Sequence, residues 1–151
     1  MRTRAIEDAD CDFFAKYARA GDVAECLSVT NLPLEEHIRI GRDNSQESYV
    51  YVDDNGNPCA LYGIMLDKRG FNVPWLLTTV FVEKCKFSFM KEVHKVVKKW
   101  YKKYGTLWLL TDLRYERAIK LNLWVGFRMV GEPILVNGVR FGLFKYAGEK
   151  K

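Results

Sequence analysis

Two nearly continuous apolar runs flank one lysine-rich segment, and this arrangement constrains the fold more than any other feature. The runs VPWLLTTVFVE, residues 73–83, and TLWLLTD, residues 106–112, are rich in β-branched and aromatic residues. Such runs are typical of strands that are buried on both faces. A helix between two such strands makes a crossover connection, which places the strands parallel in one sheet. The sequence therefore predicts a sheet that is parallel in part.

The lysine-rich segment has the period of an amphipathic helix, which is predicted to end at Gly105. Lysines cover most of its surface, and His94 is predicted to be solvated among them. Its apolar residues recur at three- and four-residue steps and form one predicted stripe: Phe87, Met90, Val93, Val97, Trp100, Tyr101 and Tyr104.

Two Asn-Gly pairs predict hairpins. Asn55-Gly56 separates two strand-like runs, and Asn137-Gly138 lies between short β-rich segments near the C-terminus. Asn-Gly is favoured in two-residue hairpin turns because both positions adopt positive φ. The sequence therefore predicts antiparallel pairs beside the parallel part of the sheet.

The N-terminal part is predicted to be largely helical after a short first strand. The first helix is predicted to be capped at Asp8 or Asp10 and to end at Gly21. A second helical piece is predicted over residues 22–30, and the next helix is predicted to stop at Gly41. The full order is then β–α–α–β–β–β–α–β–α–β–β, a mixed α/β fold in one domain over residues 1–151.

Composition narrows the class of protein. The start MRTRAIEDAD has no apolar segment like that of a signal peptide, and no run approaches the roughly 18 apolar residues of a membrane helix. We expect a soluble, cytosolic protein. The four cysteines are scattered without a C-x-x-C pair, so we expect reduced thiols and no zinc site. The net charge of +5 is concentrated in the lysine-rich helix, which is compatible with a solvated face or with an anionic partner.

The stretch YERAIKLNLWVGF, residues 115–127, carries a recognisable pattern. It is predicted to be an apolar helix that ends at Gly126. This stretch and the order of elements resemble the GCN5-related N-acetyltransferase family, whose fourth helix typically reads Asn-x-x-Ala-x-x-(Leu/Phe)-Tyr-x-x-x-Gly-Phe. The register is kept throughout, and four positions match in type: Ala118, Leu121, Gly126 and Phe127.

The whole chain also resembles a narrower branch of that family. These are small phage-encoded acetyltransferase-like proteins, some of them associated with the virions of short-tailed phages. The resemblance rests on the segments NPCALYGI, PWLLTT and VKKWYKKYGTLWLL and on the Gly-Phe pair followed by a short hairpin. It implies a protein of the host cytoplasm or, alternatively, of the virion.

The family resemblance implies a site for acetyl-CoA or another acyl-CoA between WLLTTVFV and LWLLTD. The pantetheine arm would pair with the backbone of Val80, Phe81 and Val82, and the pyrophosphate would meet amides at the next helix start, where N–H groups are unpaired. The two glycines that the family keeps in this loop are absent. In their place, Lys84 and Lys86 supply positive charge, Phe87 adds bulk and Ser88 supplies a hydroxyl. The alternative is an ordinary capped helix start with flanking lysines.

The resemblance also implies catalytic positions. The family often uses a carboxylate on the fourth strand as general base; the strand here has none, and Glu83 just beyond its end is the candidate. Asn122 stands where the family keeps the tyrosine that protonates the leaving thiolate, and an amide donates hydrogen bonds but supplies no proton at neutral pH. Tyr115 stands at the position where the family pattern has its asparagine. The alternatives are that Glu83 is an ordinary surface carboxylate, that Asn122 is a hydrogen-bonded, semi-buried amide and that Tyr115 is a core aromatic. No metal is expected.

Two further side chains are candidates on residue chemistry alone. Cys85 lies at a predicted helix N-terminus between lysines, a setting that lowers a thiol pKa and would suit an acyl-cysteine role. His37 is a candidate substrate-side base, although a single histidine at a periodic helix position is more often structural.

Three functions follow from these observations. The first is an N-acyltransferase that uses acyl-CoA to modify an amine on a protein or small molecule. The second is a non-catalytic module of the same fold that binds a host or virion protein. Nucleic-acid binding is the weakest, because stacking aromatics are predicted to lie opposite the lysine face. No membrane partner is expected.

Overall fold

The computed structural model describes residues 2–18 and 32–148. Their contacts fall into two compact units, one within residues 1–65 and 74–90 and the other within residues 66–73 and 91–151. The described helices are α1 (Asp8–Tyr17), α2 (Leu34–Asn44), a 3-10 helix η1 (Val80–Cys85), α3 (Lys86–Tyr104) and α4 (Glu116–Val125). The strands are β1 (Arg2–Arg4), β2 (Ser45–Val52), β3 (Pro58–Leu66), β4 (Asn72–Thr78), β5 (Leu107–Asp112), β6 (Arg128–Met129), β7 (Ile134–Val136) and β8 (Val139–Tyr146).

The first unit is built on antiparallel strands. β1 pairs with β2, and β2 pairs with β3 in a register that places Tyr49 opposite Tyr62. β4 follows β3 in the strand order. Helices α1 and α2 bury their apolar residues against one face of these strands, and the core comprises Ile6, Cys11, Phe14, Ile38, Val50, Val52, Leu61 and Leu77.

The second unit holds the parallel pairing. Asn72, the first residue of β4, lies opposite Leu107 of β5 in a parallel bridge. β8 then runs antiparallel to β5 and pairs with the whole length of β5. Strands β6 and β7 also pair with β8. The prediction of a mixed α/β fold with a partly parallel sheet is confirmed.

Both predicted hairpins are confirmed. β2 and β3 are joined through the turn that contains Gly56, and β7 and β8 are joined by Asn137-Gly138. Asn137 has φ 51° and Gly138 has φ 79°, so both residues adopt the positive φ that a tight hairpin requires.

The helix boundaries in the N-terminal part differ from the prediction. α1 is capped at Glu7, whose backbone N–H donates to Asp10 Oδ2 at 2.8 Å, so Asp10 contributes from inside the helix. α2 continues three residues beyond Gly41 to Asn44, and the predicted stop is wrong because glycine in a last helical turn is tolerated. α1 ends at Tyr17, with Ala18 as its C-cap residue, so the predicted end at Gly21 is wrong. The helical piece predicted over 22–30 lies outside the described residues.

The lysine-rich helix α3 ends before Gly105 as predicted, but its buried stripe begins elsewhere. Phe87 is 83% exposed and Phe89 is 4% exposed, so placing Phe87 in the stripe was wrong. Phe89 packs on Tyr51 of β2, with ring centroids 5.5 Å apart. The prediction that His94 is solvated is also wrong in part, because His94 is half-buried and its ring lies 5.3 Å from that of Trp124.

Among the residues that the structure describes, no helix combines the length and the apolarity needed to cross a membrane.

Candidate functional site

The segment that follows β4 carries several of the predicted site residues, and Thr79 fixes its geometry. The Thr79 amide donates to the carbonyl of Cys59 at 2.9 Å, and its hydroxyl donates to the carbonyl of Pro58 at 2.9 Å. The same hydroxyl oxygen accepts a hydrogen bond from the amide of Phe81 at 3.2 Å. Thr79 is completely buried, and it ends β4 and begins the helical turn η1.

The strand prediction therefore fails beyond Thr78. Val80, Phe81 and Val82 lie in η1 and not in an extended strand. The Phe81 and Val82 amides are engaged by the Thr79 hydroxyl and carbonyl, so they do not form a free strand edge. The assignment of these three residues to a pantetheine arm stays a prediction, and their conformation differs from the one on which it rested.

The side chains of η1 divide between the interior and the surface. Val82 is buried and Val80 is exposed. Phe81 is half-buried and stacks on α1, with its ring 5.9 Å from Phe13 and 5.6 Å from Tyr17. These aromatic contacts hold η1 against the first helix of the same unit.

The residues predicted to meet a phosphate group lie at the junction of η1 and α3. Lys84, Lys86 and Phe87 are exposed, while Ser88 is half-buried in the first turn of α3. Because helical backbone already begins at Val80, the N-terminal end of the helical segment lies upstream of the lysines, and its Phe81 and Val82 amides are bonded to Thr79. The exposed lysines supply positive charge beside that end.

Glu83, the predicted general base, lies in the same segment. Its side chain is exposed on η1 among these lysines. An exposed carboxylate is an ordinary surface feature, so burial does not mark Glu83 as a base. Its role stays a prediction.

Cys85 contradicts the expectation of a reactive thiol. It is only 8% exposed at the end of η1, and its S–H donates to Sγ of Cys59 at 3.2 Å. Burial raises the pKa of both the Cys85 and the Cys59 thiols. The predicted lowering of the Cys85 pKa is wrong, and this thiol is poorly suited to carry an acyl group at neutral pH. The described cysteines Cys11, Cys59 and Cys85 are free thiols.

A separate group of candidate residues lies on and beside α4, within the second unit. Asn122 is buried, and its side-chain amide donates to the hydroxyl of Thr111 on β5 at 2.9 Å. Its backbone carbonyl accepts from the amides of Gly126 and Phe127 and closes the helix. Asn122 therefore joins the helix end to the strand.

Tyr115 lies at the other end of this helix. It is the N-cap residue, outside the helix proper, and its carbonyl accepts from the amides of Ala118 and Ile119. The side chain of Tyr115 is half-buried. Tyr115 and Asn122 are seven residues apart, which corresponds to a rise of about 10 Å along a helix. Their Cα atoms are therefore well separated along α4.

Sequence reasoning missed a buried carboxylate next to this helix. The Asp112 side chain is 3% exposed at the end of β5, and Arg114 donates to it through Nε and Nη2 at 2.7–3.2 Å. These hydrogen bonds lower the pKa of Asp112 despite its burial. The signal was an acid and an arginine two residues apart directly after a buried strand.

His37 lies half-buried on α2, and this burial lowers its pKa. Within residues 2–18 and 32–148, no group of three or more His, Cys, Asp or Glu side chains is arranged to hold a metal ion.

The fold matches solved acetyltransferases along nearly the whole chain. The spermidine N-acetyltransferase from Vibrio cholerae in complex with CoA and spermine superposes with a TM-score of 0.71 at 13% identity, covering 96% of this chain and 94% of that one. An aminoglycoside acetyltransferase in complex with coenzyme A gives 0.69 at 12% identity, covering 96% and 93%. No protein-family model and no curated protein sequence matches the chain.

These matches define the class of fold. The chain has the fold of the GCN5-related N-acetyltransferases, and the fold predicted from residues 115–127 and from the order of elements is confirmed. At 12–13% identity the likeness concerns the fold, and activity is taken up as a proposal.

Proposed function

We propose that this chain is an N-acyltransferase that uses acetyl-CoA or another acyl-CoA to modify an amine on a protein or small molecule. The observation that carries the proposal is the near full-length match to two acetyltransferases that were solved with CoA bound. Exposed Lys84 and Lys86 add positive charge where the resemblance expects the pyrophosphate.

In this reaction the acceptor amine attacks the thioester carbonyl, the tetrahedral intermediate collapses, and CoA leaves as the thiolate. The lysines would hold the CoA phosphates, and Glu83 would accept the proton of the attacking amine. Asn122 would contribute a hydrogen bond to the leaving sulfur or the carbonyl oxygen only by exchanging its bond to Thr111. Solvent water would then protonate the thiolate.

Thermal unfolding with acetyl-CoA tests the binding step. Acetyl-CoA at about 100 times its Kd should add about 2.7 kcal/mol to the free energy of unfolding. If millimolar acetyl-CoA leaves the Tm unchanged, this proposal is wrong.

A matched pair of variants tests where the cofactor binds. Lys84→Ala with Lys86→Ala should weaken acetyl-CoA binding by about threefold or more, since each exposed ion contact contributes up to about 1 kcal/mol. Lys95→Ala with Lys99→Ala removes the same charge from exposed positions further along α3 and should leave the affinity nearly unchanged. Equal losses would indicate only a general electrostatic effect.

Turnover is tested with amines of the kind that the solved relatives are named for. CoA release should be measured with spermidine, spermine, an aminoglycoside and a lysine-containing peptide as acceptors. Acceptor-dependent release of CoA identifies an enzyme and its substrate class.

The alternative is a catalytically inactive module of the same fold that binds and modulates a host or virion protein. Asn122 favours it, because the residue at the family's proton-donor position is an amide engaged by Thr111. Folded protein that neither binds acetyl-CoA nor releases CoA with any acceptor would favour this reading.

Phage origin, with the protein in the host cytoplasm or in the virion, is part of the proposal. Quantitative proteomics of infected cells and purified virions tests it.

A further inference from the structure

The thiols of Cys59 and Cys85 lie in direct contact inside the first unit. Their Sγ atoms are 3.2 Å apart, although the two residues are 26 positions apart in the chain. Cys59 is fully buried in β3, and Cys85 is nearly buried at the end of η1. A disulfide has Sγ atoms about 2.05 Å apart, so the pair needs an approach of only about 1 Å.

The backbone around both thiols is held by the same short set of hydrogen bonds. Thr79 donates to the carbonyls of Pro58 and Cys59, which ties the start of η1 to the start of β3. The Sγ of Cys59 also lies 3.8 Å from the carbonyl oxygen of Phe81 in η1. The contact of the two sulfur atoms therefore belongs to a fixed junction between β3 and η1.

We propose that Cys59 and Cys85 are a modification site, at which a peroxide forms an intramolecular disulfide that fastens η1 to β3. The proposal concerns only these two thiols and their junction, and it does not require that the protein bind acyl-CoA.

The chemistry has two steps with hydrogen peroxide as the oxidant. Cys85 is the more exposed thiol; its sulfur attacks one peroxide oxygen, the O–O bond breaks, and a sulfenic acid and water form. The sulfur of Cys59 then attacks the sulfenic sulfur, the Sγ–Sγ bond forms, and a second water leaves with the Cys59 proton. Two thiols and one peroxide give one disulfide and two waters.

The surroundings make the first step slow. Burial and the negative charges of Asp53 and Asp54 raise the pKa of Cys85, and burial raises that of Cys59. Few thiolates are then present at neutral pH, and the reaction needs sustained peroxide. Small, uncharged peroxide is suited to a thiol that is nearly buried.

Peptide mapping of the intact wild-type chain tests the proposal. After peroxide treatment, digestion without reductant should yield one linked peptide that contains Cys59 and Cys85. The thiol titre of the unfolded protein should fall from four to two, and dithiothreitol should restore it. Hydrogen exchange of the amides in residues 80–85 should slow about tenfold in the oxidised form.

Variants supply the controls. Cys11→Ala should still form the link, while Cys59→Ala and Cys85→Ala should not. The proposal is overturned if the linked peptide contains Cys11 or Cys26, if Cys85 proceeds to the sulfinic acid without a link, or if exchange in residues 80–85 is unchanged by oxidation. The mapping of the wild-type chain decides even if the Cys59 or Cys85 variant does not fold.

Discussion

The side-chain amide of Asn122 donates a hydrogen bond to the hydroxyl of Thr111, at 2.9 Å and away from solvent. This bond joins α4 to β5 within one unit. It also occupies the amide at the position where the family resemblance implies a proton donor. The hydrogen bond therefore has a structural role, and its contribution to the free energy of unfolding can be measured independently of any activity.

Asn122→Ala should lower the free energy of unfolding by about 1–3 kcal/mol, because it leaves the buried Thr111 hydroxyl without its donor. Urea unfolding measures the change. Lys120→Ala, an exposed change on the same helix, should stay within about 0.5 kcal/mol. In a double-mutant cycle with Thr111→Val, a coupling near zero would show that this hydrogen bond does not stabilise the fold.

Two glycines that face the same tryptophan should respond with opposite signs. A Cβ at Gly63 would lie 2.7 Å from Trp75 Nε1 and 2.9 Å from the Glu47 carbonyl oxygen, so Gly63→Ala should destabilise by about 1–3 kcal/mol. A Cβ at Gly41 would lie 3.9 Å from Trp75 in ordinary contact, and Gly41→Ala should stabilise helix α2 by about 0.5–1 kcal/mol. The Tm values of the two variants should fall on opposite sides of the wild type, and a shared direction would contradict the packing of Trp75.

The phenylalanines at the start of α3 should differ sharply. Phe89→Ala empties a buried site against Tyr51 and should cost about 3 kcal/mol or more. Phe87→Ala removes an exposed ring and should change the free energy of unfolding by less than about 0.5 kcal/mol. Denaturant midpoints compare the two. A larger loss from Phe87→Ala would restore the helix register expected from the sequence.

Arg114→Gln should destabilise the fold at pH 7, by about 1 kcal/mol, because it removes the charged partner of the buried Asp112 while the Arg114 side chain itself is 61% exposed. The folded pKa of Asp112 lies below its unfolded value, so the stabilisation is present above pH 4 or so and is lost as the pH falls through the folded pKa. Unfolding curves of wild type and variant should converge in acid. A gap that persists at pH 2 would point to packing by Arg114 in place of the charge.

Gly126→Ala should cost about 2 kcal/mol or more. Gly126 has φ 121°, which alanine rarely adopts, and a Cβ there would lie 3.0 Å from the Tyr146 ring. Gly138→Ala also places an alanine at a positive φ, but no atom lies within 4 Å of the added Cβ. The free energy of unfolding should therefore fall by only about 1 kcal/mol. Thermal unfolding of both variants measures the difference, which would vanish if Tyr146 did not pack against the end of α4.

Local sequence was sufficient where the determinants are neighbours in the chain. Asn137-Gly138 specifies its hairpin because both residues accept positive φ, and the period of α3 identifies an amphipathic helix without knowledge of its partner. The pattern ending at Gly126 and Phe127 carried the family resemblance that led to the fold. The order of strands and helices followed from such local signals, and so did the class of fold.

The tertiary structure decided what depends on distant residues. The run from Trp75 to Val82 has strand propensity throughout, yet the strand ends at Thr78 because Thr79 bonds to Pro58 and Cys59. In the same way, the thiol expected to be reactive at Cys85 meets Cys59, and Asn122 meets Thr111. Propensity and spacing describe a residue's neighbours in the chain. The environment that sets a pKa, ends a strand or occupies an amide comes from residues that only the folded chain brings together.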